Sequence, residues 1–376
     1  VMSNENNMNT SMINDENLIP SEVLASGKQI SFPDFHFYKI RTFCNKYIDI
    51  QDSSTANEKA AIQYTMNNQD NQRFLIFTLD NNYSVIAAKH SGKVLDMMSI
   101  PIFPGIPFLL IQYDFKNGDN QKFFIANDGT FAVKTTGHVW DVSKGSTQNG
   151  TPIIPYNYQG SANQKFILEQ SGSISIKPPT TGTLPPAPDF KTTNLDEELP
   201  DDTTPVITHV TYLPYFMVKD PYYNAQQKIT NSPYYILVRR QYWEKKTQRV
   251  LAPSDEYDYM ETTGVSRTDQ TSMTETTEIS VGADLGFMFK GFSVGLSTSI
   301  TRSLSVTKST STTESTEKTE RVFYTNKFDH HIGYAKYMLI NEYYVTRANG
   351  ELITSGDAAY WKVPDPTRTV ARIIPR

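Results

Sequence analysis

The chain has 376 residues, 40 acidic against 35 basic side chains, a net charge of −5 and one cysteine. That length supports two domains with proper cores, the charge offers no basic patch dense enough for nucleic acid, and Cys44 alone rules out an internal disulfide or a cysteine-built metal site. No run of about 18 apolar residues occurs, so any entry into a membrane must use strands or a surface contact.

Residues 1–33 read as a polar, poorly ordered arm, without the basic start and apolar core of a secretory signal. A pattern then occurs three times: Ile62-Gln63-Tyr64 leading to Asp70-Asn71-Gln72-Arg73-Phe74, Ile111-Gln112-Tyr113 to Asp119-Asn120-Gln121-Lys122-Phe123, and Ile154-Pro155-Tyr156 to Ala162-Asn163-Gln164-Lys165-Phe166. Upstream of each copy lies an aspartate in a strand-like run, at Asp49, Asp96 and Asp141. Short apolar stretches separated by turn residues, repeated three times, predict a closed or nearly closed all-β unit.

The triplicated Asn-Gln-x-Phe resembles the Gln-x-Trp/Phe repeat of ricin-B-type β-trefoil lectins, over residues 34–177. The resemblance implies that Gln72, Gln121, Gln164, Phe74, Phe123 and Phe166 are structural. It also implies three sugar pockets: Asp49/Tyr64/Asn71, Asp96/Tyr113/Asn120 and Asp141/Tyr156/Asn163. The chemistry suits a sugar, which needs an aromatic face for its C–H side, a carboxylate acceptor, and an amide that donates and accepts. The bland reading makes the tyrosines half-buried strand residues and the aspartates Asx-turn formers. Trp140 beside Asp141, and the Asn149-Gly150 turn, favour the third pocket; the apolar loop carrying Pro101, Pro104 and Pro107 weakens the second.

Residues 178–204 are rich in proline and acid and read as a stiff linker without a core. From 205 to 376 the texture changes: Ser and Thr dominate 262–320, and no proline stands between Pro253 and Pro364. Long strands are expected there, and a helical period is not apparent. Within it Ile279, Val281, Leu285, Phe287 and Phe289 alternate with small or polar residues, and after Lys290-Gly291 the apolar set moves to Phe292, Val294, Leu296 and Ile300. A two-residue turn at Lys290-Gly291 would pair 289 with 292, 287 with 294 and 285 with 296, giving a ribbon apolar on one face. Its strands have the length of a transmembrane β-strand, and since one hairpin cannot satisfy its edges in lipid, several chains must close a barrel. A strand packed on a protein core would alternate in the same way. Asp284 falls on the polar face, where it would influence ion preference.

Leu213-Pro214-Tyr215-Phe216-Met217-Val218, Asn231-Ser232-Pro233-Tyr234-Tyr235-Ile236-Leu237 followed by Gln241-Tyr242-Trp243, and Ser272-Met273-Thr274 leading into 279–286 resemble the Bin-like insecticidal toxins of spore-forming bacilli, the Tpp family. The resemblance implies an N-terminal β-trefoil followed by an elongated aerolysin-like β-sheet domain, storage in parasporal crystalline inclusions, and activation by larval gut proteases, which would trim the N-terminal arm and the tail carrying Arg368, Arg372 and Arg376. The expected function is a mosquito-larvicidal, β-pore-forming toxin. Its expected partners are cell-surface glycans of galactose type, the target-cell membrane, further copies of itself in the pore or as a crystal homodimer, and a second toxin component. No cofactor, metal, nucleic acid or catalysis is expected. A non-lytic lectin and a lectin-tethered hydrolase are the alternatives, the latter with carboxylates at Glu256, Asp258 and Glu275 but no recognisable catalytic motif. Tyr215 stands where many relatives carry Cys.

Overall fold

The computed structural model describes residues 18–80, 82–98, 108–354 and 359–375. It is all-β in character, with a closed trefoil-like barrel followed by an elongated, curled sheet. The barrel is built from β1 (His36–Arg41), β2 (Tyr47–Ile50), β3 (Lys59–Tyr64), β4 (Phe74–Asp80), β5 (Tyr83–Ala88), β6 (Val94–Met97), β7 (Leu110–Tyr113), β8 (Phe123–Ile125), β9 (Phe131–Val133), β10 (Val139–Val142), β11 (Ile153–Tyr156) and β12 (Ile167–Ser173). All pairings among them are antiparallel; the strand path runs from β11 to β6, and a bridge between Ile62 of β3 and Pro152 beside β11 ties the β11 end back to the path. Phe74, Phe123, Phe131, Trp140 and Phe166 fill the barrel, each at most 1% exposed.

The second unit hangs on a four-stranded antiparallel sheet of β13 (Val206–Pro214), β14 (Tyr234–Leu251), β19 (Ile332–Arg347) and β20 (Trp361–Ile374), with helix α2 (Ala225–Asn231) between β13 and β14. Beside it lies a separate two-stranded ribbon, β15 (Glu256–Thr263) with β18 (Lys318–Thr325). Everything between these two strands folds back as α3 (Arg267–Thr277), a small hairpin of β16 (Ile279–Val281) and β17 (Phe287–Phe289), and α4 (Val294–Leu304).

Four expectations are corrected here. Residues 18–33 are not a loose arm: Ser21–Ala25 is a short helix, α1, and Ile19 and Val23 pack against Tyr83 and Phe124. The proline-rich stretch does contribute a core, because Ala187, Phe190 and Leu199 pack on Ala335, Tyr337 and Ile374, and the Trp243 indole N–H donates to the Pro185 carbonyl at 2.9 Å. The basic tail is no trimmable end: Arg368 and Arg372 sit within β20, and Arg372 donates to the carbonyls of Ala187 and Pro188. The Ser/Thr-rich region is not all strand, since α3 and α4 lie in it, capped by the hydroxyls of Ser266 and Ser293.

The two units share one apolar cluster. Phe37, Leu75, Phe77 and Val85 of the trefoil interdigitate with Leu213, Tyr215, Tyr234, Leu296 and Ile300. Phe77 is fully buried, with ring centroids 5.1 Å from Phe216 and Tyr234 and 6.0 Å from Tyr215. Tyr215 also donates its hydroxyl to the Gly92 carbonyl at 2.5 Å, crossing the same seam. Phe77→Ala should cost about 3–5 kcal/mol, and because its ring serves both units, calorimetry should show a single transition moving down. Two transitions, with only the trefoil affected, would deny the shared core.

Candidate functional site

Three near-equivalent sites ring the trefoil, each built by a buried glutamine. Gln72 donates to Asp49 Oδ2 at 2.8 Å and to the Thr65 carbonyl at 3.0 Å, and accepts from the Asn67 amide. Gln121 does the same with Asp96 Oδ2 at 2.9 Å, the Asp114 carbonyl and the Lys116 amide. Gln164 repeats it with Asp141 Oδ2 at 2.9 Å, the Asn157 carbonyl and the Gln159 amide. One side chain thus closes the turn that carries the aromatic residue and orients the aspartate, which explains why the glutamine recurs at each position.

The three aspartates are 4–7% exposed. Burial pushes each carboxyl above its ordinary value of 3.8, opposed by hydrogen bonds from the adjacent glutamine and asparagine. In the first and third sites the glutamine bond engages Oδ2 of the aspartate. In the second site Asn120 donates to Asp96 Oδ1 at 2.8 Å, so both oxygens are occupied internally.

The first site forms a cleft of about 280 Å³ lined by Asp49, Asp52, Tyr64, Asn67, Asn71 and Gly150 among others. Tyr64 is 43% exposed and Tyr156 of the third site 46%, so both rings can serve as platforms. Tyr113 is half-buried. Asn71 is brought beside Asp49 but is only 3% exposed, with its amide donating to the Ile50 carbonyl and its oxygen accepting from Asn67. It braces the pocket instead of facing it. Asn163 donates to the Val142 carbonyl at 3.2 Å and accepts from Ser161 at 2.8 Å.

Two features that favoured the third site lie elsewhere. Trp140 is fully buried, 4.6 Å from the Phe131 ring and 5.2 Å from Phe123, because its strand points that side chain into the barrel. Asn149 accepts from the Thr65 amide and hydroxyl, and Gly150 lines the first cleft, so that turn walls the first site. The proline loop of the second site, 99–107, lies outside the described residues.

The residues missed in the sequence stand three positions after the aspartates. Asp52 and Lys144 occupy matching turns with φ of 61° and 56°. Asp52 pairs with Lys59 at 2.9 Å, while Lys144 has no carboxylate partner among the described residues. Aligning Asp49-Ile50-Gln51-Asp52 with Asp141-Val142-Ser143-Lys144 would have exposed this reversal of charge.

The second candidate element is the 279–300 segment, and its expected ribbon is absent from this state. Ile279 pairs with Phe289 and Val281 with Phe287, so the turn of the small hairpin lies at 282–286 and not at Lys290-Gly291. Val294 and Leu296 belong to α4, and Leu285 sits in the turn with φ of 65°. Burial explains the difference: Ile279, Val281, Phe287, Leu296 and Ile300 are all at most 2% exposed in the shared core, which a protruding ribbon would forfeit. Phe289 and Phe292 are half-buried with rings 5.2 Å apart, while Lys290 and Gly291 are exposed. Asp284 accepts from the Ser309 hydroxyl at 2.7 Å and the Thr310 amide at 2.8 Å; these bonds hold its carboxyl well below the usual carboxylate range and pin the turn down.

Sequence comparison agrees with this architecture. The insecticidal crystal toxin P42 family profile matches residues 206–367, and the ricin-type beta-trefoil lectin domain-like profile matches 34–99. The binary larvicide subunit BinB of Lysinibacillus sphaericus is 28% identical over 332 residues, covering 83% of this chain and 73% of its own length. The BinA subunit of the same organism is 23% identical over 301 residues, 76% and 77% of the two chains. The crystal structure of Cry35Ab1 shares the fold, with a TM-score of 0.72 at 19% identity, over 91% of this chain and 90% of that one. These are toxin and lectin families: over its second unit the chain is similar to the Bin-like insecticidal crystal toxins, and over its first to ricin-type trefoil lectin domains.

Proposed function

We propose that this chain is a larvicidal β-pore-forming toxin that binds gut-surface glycans through the first and third trefoil sites and then converts residues 264–317 into a membrane-crossing hairpin. Storage in inclusions, proteolysis in the polar stretch ahead of Leu18, and cooperation with a second toxin subunit complete the proposal. The binary larvicide relatives, mosquito-directed in this reading, support it.

The observation that carries the pore reading is the register of the ribbon. β15 and β18 pair without a bulge from Glu256↔Thr325 to Thr263↔Lys318. Each further step inward advances one residue on the first strand and retreats one on the second. Continued unbroken, the ladder pairs Leu285 with Leu296, Phe287 with Val294 and Phe289 with Phe292, and closes on Lys290-Gly291, the turn that the alternation alone had suggested. Gly291 already has a φ of 71°. The tip from 279 to 289 has the roughly 9–11 residues that a tilted transmembrane strand needs, and the Ser/Thr-rich arms behind it suit a stem in water. No helix among the described residues is long and apolar enough to cross a membrane, which leaves strands as the means.

An environment-sensitive dye on single cysteines from 279 to 300, in a Cys44→Ser background, tests this in liposomes. Odd positions should report lipid up to 289, and even positions from 292 onward, with the parity inverting at Lys290-Gly291. Uniform solvent exposure would leave only the lectin reading. In planar bilayers Asp284→Asn should shift the reversal potential toward anions if that side chain faces the lumen.

The rim charges favour different sugars at the two open sites. In the first, Asp52 is neutralised by Lys59, which suits a neutral galactose-type sugar; in the third, unpaired Lys144 suits a glycan bearing a carboxylate or sulfate. On a glycan array Lys144→Glu should lose acidic glycans by about tenfold and spare neutral galactosides, whereas Tyr64→Ala should do the opposite. Equal losses on both classes would contradict the assignment.

Acidification should weaken binding at both sites. An ionised aspartate is the stronger acceptor for sugar hydroxyls, and burial raises these carboxyls above 3.8, so affinity falls as the pH drops through that raised window. Because the folded value is raised, protonation there favours the folded state, and these residues supply no acid-induced loss of stability. Calorimetric titration with galactose from pH 7 to 4, beside thermal melts, should show affinity falling ahead of any unfolding. Affinity constant to pH 4 would remove the aspartates from the contact.

A further inference from the structure

Helix α4 is the arm that the extended ladder requires as strand, and in this structure it is held as helix from both ends by different units. At its start the Gly295 amide donates to Asp80 Oδ1 of the trefoil at 3.0 Å, beside the ordinary cap from Ser293 to the Leu296 amide. The approach is tight: a Cβ on Gly295 would stand 2.2 Å from the Leu79 carbonyl oxygen. Just ahead of the helix, Asn117 of the trefoil donates to the Gly291 carbonyl at 2.7 Å, holding the tip of the future hairpin. At the other end Arg239 of β14 donates from Nη1 to the carbonyls of Leu304 and Ser305, at 2.8 and 3.0 Å.

Arg239 is the telling member. Its side chain lies in the interior, only 8% exposed, and no carboxylate pairs with it among the described residues. Its other two nitrogens donate to Asn341 Oδ1 at 3.1 and 2.9 Å. The balancing charge is therefore the negative end of the α4 dipole, and the carboxylate of Asp80 complements the positive end. Turning α4 into strand would remove the acceptors of a buried guanidinium, which is costly.

We propose that Asp80 and Arg239 are positioning residues for pore formation: a two-ended electrostatic catch that stores the second hairpin arm as helix, so that parting the trefoil from the sheet is the releasing step. This rests on the pore reading above for its consequence, though not for the catch itself. It assigns the trefoil a second task, restraint, carried by Asp80 and Asn117, both outside the sugar-site aspartates and tyrosines.

Hydrogen exchange on the full soluble chain tests the catch. Asp80→Ala should accelerate the amides of 294–304 about two- to tenfold, the range for losing a cap and its charge, with trefoil amides unchanged. Arg239→Gln should act on the same helix, most strongly in its last turn. Acceleration spread evenly over both units, or none in α4, would overturn the proposal. In galactolipid-containing vesicles, protease-treated Asp80→Ala should release dye after a shorter lag than the parent at equal vesicle binding; an equal lag would also overturn it. If the parent itself releases no dye, the pore reading falls, and the exchange data still judge the catch.

Discussion

The unbroken register between β15 and β18 governs how the rest of the second unit can be understood. An antiparallel ladder has no freedom once begun: each further pair is dictated by the last, and a one-residue slip would turn every side chain to the opposite face. From Thr263↔Lys318 inward the only bulge-free continuation puts the apolar residues of both arms on one face and the turn at Lys290-Gly291. This structure does not take it: the shared seam buries Ile279, Val281, Phe287, Leu296 and Ile300, although Val294 stays exposed. In the proposed pore the same segment is satisfied by lipid where here it is satisfied by a protein neighbour, and the balance between the two is then a property of the seam.

Much of the first unit was legible because its chemistry is repeated. Gln72, Gln121 and Gln164 each bridge an aspartate, a carbonyl and an amide with one side chain that both donates and accepts, so the repeat is recognisable at its spacing. What differs between sites was less visible, because it lies in single residues outside the repeat. Asp52 and Lys144 sit in turns with no periodicity, and the burial of Trp140 depends on which way β10 faces the barrel. The asparagines show the same limit: Asn71 and Asn163 donate to the carbonyl one residue after their aspartates, Ile50 and Val142, whereas Asn120, at the same sequence position, donates to Asp96 itself.

The α4 misreading has a definite physical cause. Leu296, Ile300 and Leu304 fall at even positions, as one face of a strand requires, and also four residues apart, as one face of a helix requires. Both periodicities are written in the same residues. The tertiary environment decides, through Asp80 and Arg239 at the ends and the apolar seam along the buried face. The proline-rich strap and residues 18–33 were misread for a simpler reason. Few apolar residues are enough when a neighbouring surface supplies the rest of the core, as β19 does for Phe190 and Leu199.

A segment proposed to fit two structures is constrained at positions that either structure alone would leave open. Gly286 packs so closely that a Cβ would lie 2.7 Å from the backbone of Ser309, and Gly295 is confined by Leu79. On the continued ladder these two glycines oppose one another on the small-polar face. Space in the stored form and smoothness in the extended form therefore demand the same residue. Serine and threonine cap helices and close turns along the arms in this structure, and in the proposed hairpin they would present hydroxyls to water. The Ser/Thr-rich composition that looked at first like a plain preference for strands is better understood as tolerance of both helix and strand, with the choice left to the charges and apolar contacts supplied from outside the segment.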